Sequence, residues 1–284
     1  MSMNSRLTCG RLWIYSDAMH FKLSKLFCPR AHSLFFLQSQ KAISFELTLS
    51  LTSFVFHIFR LLRVLDLQQF EIKSEFPGEI ELLVQLAFLA IRGKFYHIPS
   101  SIAKLFHLET LIVRSHWLSS PDTLWNLRKL KHLYIRSDYW WLGGILPKEN
   151  LENSPILYEL DRLSGVQISH WNCMKRLMRK FPNIRKLKCS VFNEDSDPRK
   201  IDTIAIPEFL NQLESLHLLH HIGSNYPKMF KLSLPAFLKK LSLRGFNLSL
   251  ENISTIGKLS NLEFLKLFKV SFEEDTWEMK EGVL

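Results

Sequence analysis

Cysteine is scarce in this chain, with 4 among 284 residues. Cys9, Cys28, Cys173 and Cys189 lack the paired spacing that a disulfide framework or a zinc site requires. We therefore expect reduced thiols, as in the cytosol. Cys189 stands in the second apolar position of Leu187-Lys188-Cys189, so we interpret it as a small buried hydrophobe.

Long apolar runs are missing as well. The richest stretch, residues 47–59, contains several hydroxyl side chains and is shorter than the roughly 18 to 20 residues that span a bilayer. Residues 1–10 are polar and the next apolar residues are interrupted by charges, so the N-terminus carries no secretory signal. These two absences predict a cytoplasmic protein without a transmembrane segment.

Motifs of the common enzyme classes are absent too. The chain has no Gly-x-Ser-x-Gly and no His-Glu-x-x-His, and none of its 10 glycines falls in a Gly-x-x-x-x-Gly-Lys-Ser/Thr frame. We expect no enzyme activity, no cofactor and no bound metal. His217, His220 and His221 form a histidine cluster, which we interpret as solvated residues near a strand end because no carboxylate follows closely.

The chain is rich in leucine residues that recur at regular spacing. Two apolar residues that flank one variable residue recur in about 11 copies, the last at Leu265-Lys266-Leu267. The clearest copies are Leu62-x-x-Leu65-x-Leu67, Leu86-x-x-Leu89-x-Ile91, Leu108-x-x-Leu111-x-Val113 and Leu130-x-x-Leu133-x-Ile135, at spacings of 24, 22 and 22 residues. A period of this length predicts an α/β leucine-rich-repeat solenoid, with a parallel β-sheet on the concave face.

The return segments predict the convex side of the repeats. Pro77 and Pro99 each precede apolar residues at three-residue spacing, which is typical of short helical or 3₁₀ turns, and residues 252–262 have the same spacing. The position three residues after the second strand leucine does not carry a ladder of asparagines. We therefore expect an irregular horseshoe. The sequons at Asn247 and Asn252 we interpret as chance matches in a chain that is not secreted.

The domain organisation follows from where the pattern starts, breaks and stops. We expect a poorly ordered leader at residues 1–10, a repeat domain at residues 11–271 and an acidic, truncated or uncapped segment at residues 272–284. Insertions are predicted at residues 137–160 and 190–208, where turn-forming residues interrupt the frame. The first insertion contains Trp140-Trp141, which either folds back over the solenoid as a plug, the reading we favour, or forms an exposed contact site.

Basic residues collect on the predicted concave face of a chain whose net charge is +10. Side chains alternate along a strand, so the positions around the two apolar residues point out of the core, and Asp66 is the one acid among them. Arg92, Arg114 and Arg136 share one position in consecutive repeats and should form a ladder with steps of roughly 5 Å. Like charges at that distance are unfavourable unless an acidic partner is present.

Arginine together with aromatic residues is typical of interface hot spots. The candidate protein-binding residues are Arg92, Arg114, Arg136, Lys186, Lys188, Lys240, Arg244, Lys266, Tyr134, Phe88 and Phe264. The alternative is that these side chains form an ordinary solvated surface. Nucleic acid would suit the charge, but no nucleic-acid-binding module is recognisable, so we expect a protein partner with an acidic surface.

Three segments together resemble a known family. They are Leu62-Arg63-Val64-Leu65-Asp66-Leu67, Ile98-Pro99-Ser100-Ser101-Ile102-Ala103-Lys104-Leu105, and Phe181-Pro182-Asn183-Ile184-Arg185-Lys186-Leu187. Their order resembles the leucine-rich-repeat region of plant intracellular immune receptors, in which a coiled-coil domain and a nucleotide-binding domain precede the repeats. Residues 11–16 and 146–153 are similar to the late blight resistance type in particular, and the resemblance covers about residues 11–270.

The resemblance implies a role in plant defence. Repeats of this class recognise a pathogen effector or a guarded host protein and restrain the nucleotide-binding domain until that recognition, which leads to defence signalling and the hypersensitive response. ATP or ADP would belong to that domain, whose phosphate-binding loop this chain does not contain, and membrane association would be peripheral and through a full-length receptor. Two alternatives stay open, a substrate adaptor of the F-box type and a free-standing repeat decoy.

Overall fold

The computed structural model describes residues 10–16, 30–38, 45–47, 49–73, 75–115, 118–137, 154–168, 171–191, 202–207, 209–220 and 230–272. The chain divides into two compact units, Met1–Gly144 and Ile145–Leu284, and each is described by itself. The predictions for residues 1–9, for Trp140-Trp141, for the polar segment 193–200 and for residues 273–284 lie outside the described residues.

Unit one is a parallel sheet whose strands follow one another along the chain. Its strands are β1 (Arg11–Ser16), β2 (Ser33–Gln38), β3 (Phe45–Leu47), β4 (Val64–Asp66), β5 (Phe70–Ile72), β6 (Phe88–Gly93), β7 (Thr110–Ser115) and β8 (His132–Ser137). The order of the main path is β1-β2-β4-β6-β7-β8, and β3 pairs with β5, which also meets β6. The predicted parallel sheet is confirmed.

The return segments of unit one are short and mostly 3₁₀. They contain the helix α1 (Leu49–Ile58) and 3₁₀ turns at Gly78–Leu82, Ser100–Lys104 and Asp122–Asn126. A proline stands directly before each 3₁₀ turn and fixes an extended backbone there. The predicted turns after Pro77 and Pro99 are thus confirmed, and Pro121 marks a third.

Leucine spacing explains the core of this unit. Leu65, Leu89, Leu111 and Leu133 are aligned across neighbouring strands, and each is 0% exposed. The turn leucines form the layer beneath, because they too are 0% exposed, as at Leu86. A single strand could not bury these side chains alone, so stacking of repeats removes them from water.

Unit two repeats the plan with more variation. Its strands are β9 (Arg162–Ile168), β10 (Lys186–Val191), β11 (Asp202–Ala205), β12 (Ser215–His220), β13 (Phe230–Ser233), β14 (Lys240–Arg244), β15 (Asn247–Leu248), β16 (Phe264–Phe268) and β17 (Ser271–Phe272), and its helices are α2 (Trp171–Met178) and α3 (Leu250–Gly257). The main sheet has the order β9-β10-β12-β14-β16, all parallel. Two small parallel pairs, β11 with β13 and β15 with β17, form outside it.

Core residues also occur inside the spans predicted as insertions. Leu157 and Leu160 are 0% exposed, and the chain between them makes the same backbone turn that precedes the other strands. In the second span, Ile204 of β11 is 2% exposed. These side chains continue the apolar layer of unit two.

A β-bulge in β9 places its apolar residues in a different register from the one that the sequence spacing suggests. The repeat frame of two apolar residues around one variable residue fits Val166-Gln167-Ile168 in β9. In the structure Leu163 pairs with Leu187 and Val166 pairs with Cys189, so Gly165 is an extra residue. Its φ of 96° is a left-handed conformation that glycine adopts readily.

Asparagine links repeats on the convex side, although not at the position where a ladder is usual. Asn252, 1% exposed, donates from Nδ2 to Phe230 O at 2.6 Å and accepts at Oδ1 from Leu232 N at 3.0 Å. Its own backbone N–H is held by the Ser249 hydroxyl at the start of α3. Asn252 is therefore a buried structural residue, and its amide is not accessible as a glycosylation site.

We expect that Gly93→Ala destabilises the protein by about 2 kcal/mol, because the added methyl has no room. Its Cβ would lie 2.5 and 2.7 Å from ring atoms of Phe95 and closer still to Ile72 O. Gly78→Ala is the matched control, since nothing lies within 4 Å of the Cβ position there. Urea unfolding of both variants measures the difference, and equal stability of the two would contradict the steric explanation.

We expect that Asn252→Ala lowers the free energy of unfolding by about 2–3 kcal/mol, because it leaves a buried N–H and a buried C=O of β13 unsatisfied. Asn261→Ala serves as the control. The Asn261 amide also bridges two repeats, donating to Ala236 O at 3.0 Å, but it is exposed, so water replaces it at a cost below about 1 kcal/mol. Thermal unfolding measures both variants. Equal melting temperatures would contradict the structural role of the Asn252 amide.

Candidate functional site

The open face of each sheet, opposite the leucine core, is the predicted concave face. On β6, β7 and β8 its side chains form three rows that run across the strands. The first row is Phe88, Thr110 and His132, the second is Ala90, Ile112 and Tyr134, and the third is Arg92, Arg114 and Arg136. Phe88 and Tyr134 are partly exposed. Apolar and aromatic side chains thus lie beside a row of positive charge.

The arginine row, defined as Arg92, Arg114 and Arg136, has the predicted register. The three residues are direct cross-strand neighbours, one strand spacing of roughly 5 Å apart. Within the described part of unit one, no carboxylate forms an ion pair with them. Asp66 lies in the second row, where its Oδ1 accepts a hydrogen bond from the Gln68 backbone N–H at 3.0 Å.

The remaining basic candidates meet on unit two. Lys186, Lys188, Lys240, Arg244 and Lys266 lie on the open face of β10, β14 and β16, and we call them the unit-two basic face. All five are exposed. In register, Lys186, Ser215, Lys240 and Phe264 form one row, and Lys188, His217, Ser242 and Lys266 form the next. Sequence position alone thus identified residues that are neighbours in space.

Three carboxylates of unit two, Asp161, Glu214 and Glu263, stand at the edge of the sheet, one residue before β9, β12 and β16. Arg185 donates from Nη2 to Glu214 Oε1 at 2.7 Å and also lies 3.9 Å from Asp161 Oδ1. Lys239 reaches Glu214 at 3.6 Å, and Arg162 reaches Asp161 at 3.1 Å. The hydrogen bond from Arg185 holds the pKa of the Glu214 carboxyl below its ordinary value. The residues that precede β9, β10, β12 and β14 thus alternate in charge along this edge.

His217 lies on the open face, as its strand position predicted. The pKa of its imidazole depends on its burial and on the nearby cations. Burial, followed by the charges of Lys188, Lys266 and Arg244, lowers its pKa to about 4. The imidazole is therefore neutral at pH 7. Three cations acting on one ring show that the centre of the unit-two basic face is electropositive.

His220 differs from the prediction of a solvated residue. Its ring packs edge-on against Phe230, with centroids 4.7 Å apart, and its Nδ1 lies 3.0 Å from Gly245 O. The reason is the pleat, since His220 points away from the open face, toward the aromatic residues that follow β12. His221 lies outside the described residues. In the described part of the chain, no three His, Cys, Asp or Glu side chains are grouped so that they could hold a metal.

Two features of the open face were not evident from the sequence. Arg244 stacks over the ring of Phe268, 4.9 Å from its centroid, and this contact orients both side chains. Strand β16 is exposed along its length, including Phe264 at 53% and Leu267 at 40%. By contrast, Cys189 is a buried apolar residue as predicted, and burial raises the pKa of its thiol.

None of the helices in the described ranges is long and apolar enough to cross a membrane.

Comparison with known proteins identifies the repeat family. Residues 41–275 match a family model described as a leucine-rich repeat region. This chain belongs to that leucine-rich-repeat family. The putative late blight resistance protein homolog R1B-13 of Solanum demissum is 34% identical over 229 residues, which are 79% of this chain and 19% of that protein. The homolog R1B-23 is 33% identical over 238 residues, 79% of this chain and 17% of that protein.

The leucine-rich-repeat region is therefore of the late blight resistance type, as the resemblance implied. The chain spans less than one fifth of the length of these curated relatives, at 19% and 17%. Among solved structures, a leucine-rich-repeat protein of Leptospira interrogans has a TM-score of 0.51 at 20% identity, covering 86% of this chain and 62% of that one. The likeness at this identity shows the fold alone.

The pKa of His217 predicts a pH dependence of stability. The unfolded chain takes up a proton near pH 6.5, but the folded chain does so only at about 4. Stability should therefore fall as the pH drops through this window, by about 1–2 kcal/mol because solvent partly screens the ring. His217→Gln should remove this component of the slope in urea unfolding at pH 4.5 and pH 6.5. Identical slopes would show that His217 does not titrate in this way.

Proposed function

We propose that this chain is the protein-interaction module of a plant disease-resistance receptor. The observation that carries the proposal is the arginine row beside the partly exposed Ile112 and Tyr134 on unit one. Three guanidinium groups in register repel one another, and an acidic protein surface would relieve that repulsion. The similarity to late blight resistance proteins supports placing such a partner in plant defence.

Two kinds of partner would use the open faces. One is a pathogen effector or a guarded host protein, and the other is the nucleotide-binding domain of the receptor class that the sequence resembles. If both bind overlapping rows, the effector competes with the nucleotide-binding domain and shifts it from a restrained to an active state. The repeats then act by differential binding and do no chemistry of their own.

The remaining properties follow from this role. A module that works by binding needs no catalytic residues and no cofactor, and we propose that ATP or ADP is held by a nucleotide-binding domain and not by this chain. We place the activity in the cytoplasm, where the reduced thiol of Cys189 would persist. Any association with membranes would be peripheral and would come from a full-length receptor.

Reversing the arginine row tests the proposal. The triple variant Arg92→Glu, Arg114→Glu and Arg136→Glu should lower affinity for the purified nucleotide-binding domain by about 100-fold or more, because each contact to an acidic surface becomes repulsive. The fold should survive, since these side chains lie outside the leucine core. Calorimetric titration measures binding, and circular dichroism checks folding.

The control has the same change of charge at another surface. Arg60, Arg128 and Lys129 are exposed residues of the turns that precede strands, and none lies on the open face. Reversal of these three to Glu should leave affinity within about threefold, because the altered charges are remote from the contact. An equal loss of affinity in both triple variants would indicate that binding depends only on net charge. The arginine row would then be an ordinary solvated surface.

A further inference from the structure

Asp66 is an acidic residue on the open face of unit one, the face that also carries the arginine row. It lies on β4 in the second row, with Phe35 of β2 on one side and Ala90 of β6 on the other. The outward positions of β4, β6 and β7 are all described, and Asp66 is the one acid among them. A single carboxylate therefore lies in a surface that is otherwise uncharged or basic.

The carboxylate of Asp66 is oriented by its own chain. Its Oδ1 accepts a hydrogen bond from the Gln68 backbone N–H at 3.0 Å, and the Gln68 side-chain amide donates to the same oxygen at 3.5 Å. Among the described residues, no donor is bonded to Oδ2. Because an ionised carboxylate accepts about four hydrogen bonds, the group is fixed in position and still has capacity for a ligand.

The arginines nearest to Asp66 do not pair with it. Arg92 stands on the neighbouring strand and one row farther along, so its Cα is about 8 Å away, and Arg114 is one strand beyond. In the described part of unit one, no ion pair joins Asp66 to either arginine, or either arginine to another carboxylate. The two signs of charge are thus separate on this face, and each can attract a ligand group of the opposite sign.

An apolar surface lies between the two kinds of charge. Ile112 occupies the same row as Asp66, two strands away, and stands two residues before Arg114 on β7. Ile112 and Phe88 are partly exposed, whereas Ala90 is 0% exposed. A ligand that reaches from Asp66 to the arginines therefore passes over Ile112.

We propose that the open face of unit one binds a partner segment with charges of both signs, a lysine or arginine on Asp66 and an aspartate or glutamate between Arg92 and Arg114. The inference rests on the proposed function, because it gives the chemistry of the segment that contacts the arginine row.

The geometry of the sheet sets the spacing of the two charges in the partner. From Asp66 to the midpoint between Arg92 and Arg114 is about 10 Å, from a strand spacing of about 4.8 Å and a two-residue step of about 6.7 Å. Side chains on one side of an extended segment are about 6.7 Å apart at i and i+2 and about 13 Å apart at i and i+4. Long side chains bridge the difference, so a basic residue at i, an apolar residue at i+2 and an acidic residue at i+4 would face the sheet together.

Asp66 would act as a specificity determinant. A wholly acidic segment places a carboxylate against Asp66, and that contact between like charges weakens binding. The backbone of a nucleic acid has the same disadvantage, because all its charges are negative. A segment of mixed charge avoids the repulsion at Asp66 and keeps the contacts with the arginines.

The test compares two fluorescein-labelled peptides of about 10 residues by fluorescence anisotropy with the full chain at about 0.1 M ionic strength, where charges farther apart than about 10 Å are screened. One peptide has lysine, leucine and aspartate at positions i, i+2 and i+4, and the other has glutamine in place of the lysine. Asp66→Asn should bind the lysine peptide about fivefold more weakly. It should bind the glutamine peptide equally or up to about twofold more tightly, because a repulsion is removed.

Two control variants accompany Asp66→Asn, which itself keeps an acceptor for the Gln68 N–H and should leave the midpoint of urea unfolding unchanged. Glu75→Gln removes the same charge from an exposed residue before the turn at Gly78–Leu82, and should change neither affinity by more than about twofold. Arg92→Gln with Arg114→Gln should weaken the binding of both peptides about fivefold or more, because both peptides contain the aspartate.

No binding of the lysine peptide, equal affinity of the wild type for the two peptides, equal losses of both in Asp66→Asn, or tighter binding of an oligothymidine would overturn the inference. If the wild type prefers the glutamine peptide and the arginine double variant weakens it, the arginine row binds acids as the proposed function requires, and only the role of Asp66 fails. If the lysine peptide binds as expected but the nucleotide-binding domain does not, the charge preference of the open face stands and the proposed function fails.

Discussion

Every repeat in this protein depends on burial by its neighbours. A strand of five or six residues has two or three side chains on its inner face, and those leucines leave water only when the next repeat stacks in register. Leu89 and Leu111 on unit one and Leu216 and Leu241 on unit two are buried in this way. The same register aligns the outward side chains, so one residue type repeated at one position becomes a row. The alignment of the arginine row therefore follows from the register in which the leucine core packs.

Charge is distributed by the same geometry. The residue before each strand of unit two lies at the sheet edge, where Asp161, Arg185, Glu214 and Lys239 alternate in sign. Exposed ion pairs of this kind each stabilise a fold by less than about 1 kcal/mol. Asp161 and Glu214 stand at the edge because each precedes its strand by one residue, and the outward positions of β10, β12, β14 and β16 contain no Asp or Glu. Burial, and after it the charges of Lys188, Lys266 and Arg244, lower the pKa of His217 on this face to about 4.

Departures from the ideal repeat are accommodated by single residues. Gly165 is the extra residue in β9, Gly93 leaves room for the Ile72 carbonyl of β5 and the Phe95 ring, and Asn252 satisfies the backbone of β13 from the neighbouring helix. Strand β16 differs from its neighbour β14 in burial. Leu265 and Leu267 occupy the positions of Leu241 and Leu243, yet they are 38% and 40% exposed where the latter are 0%.

The sequence by itself determined the repeat class, the core leucines, the 3₁₀ turns after Pro77 and Pro99, and the alignment of Arg92 with Arg114 and Arg136. These predictions succeed because a parallel solenoid keeps each position of the repeat on the same side of the chain. The spacing of residues along the sequence therefore determines which of them are neighbours in space. Only the tertiary structure decided the packing of His220 on Phe230, the bulge at Gly165 and the bonds of Asn252. Each depends on atoms of another repeat or on one extra residue in the frame, and the period of the sequence contains neither.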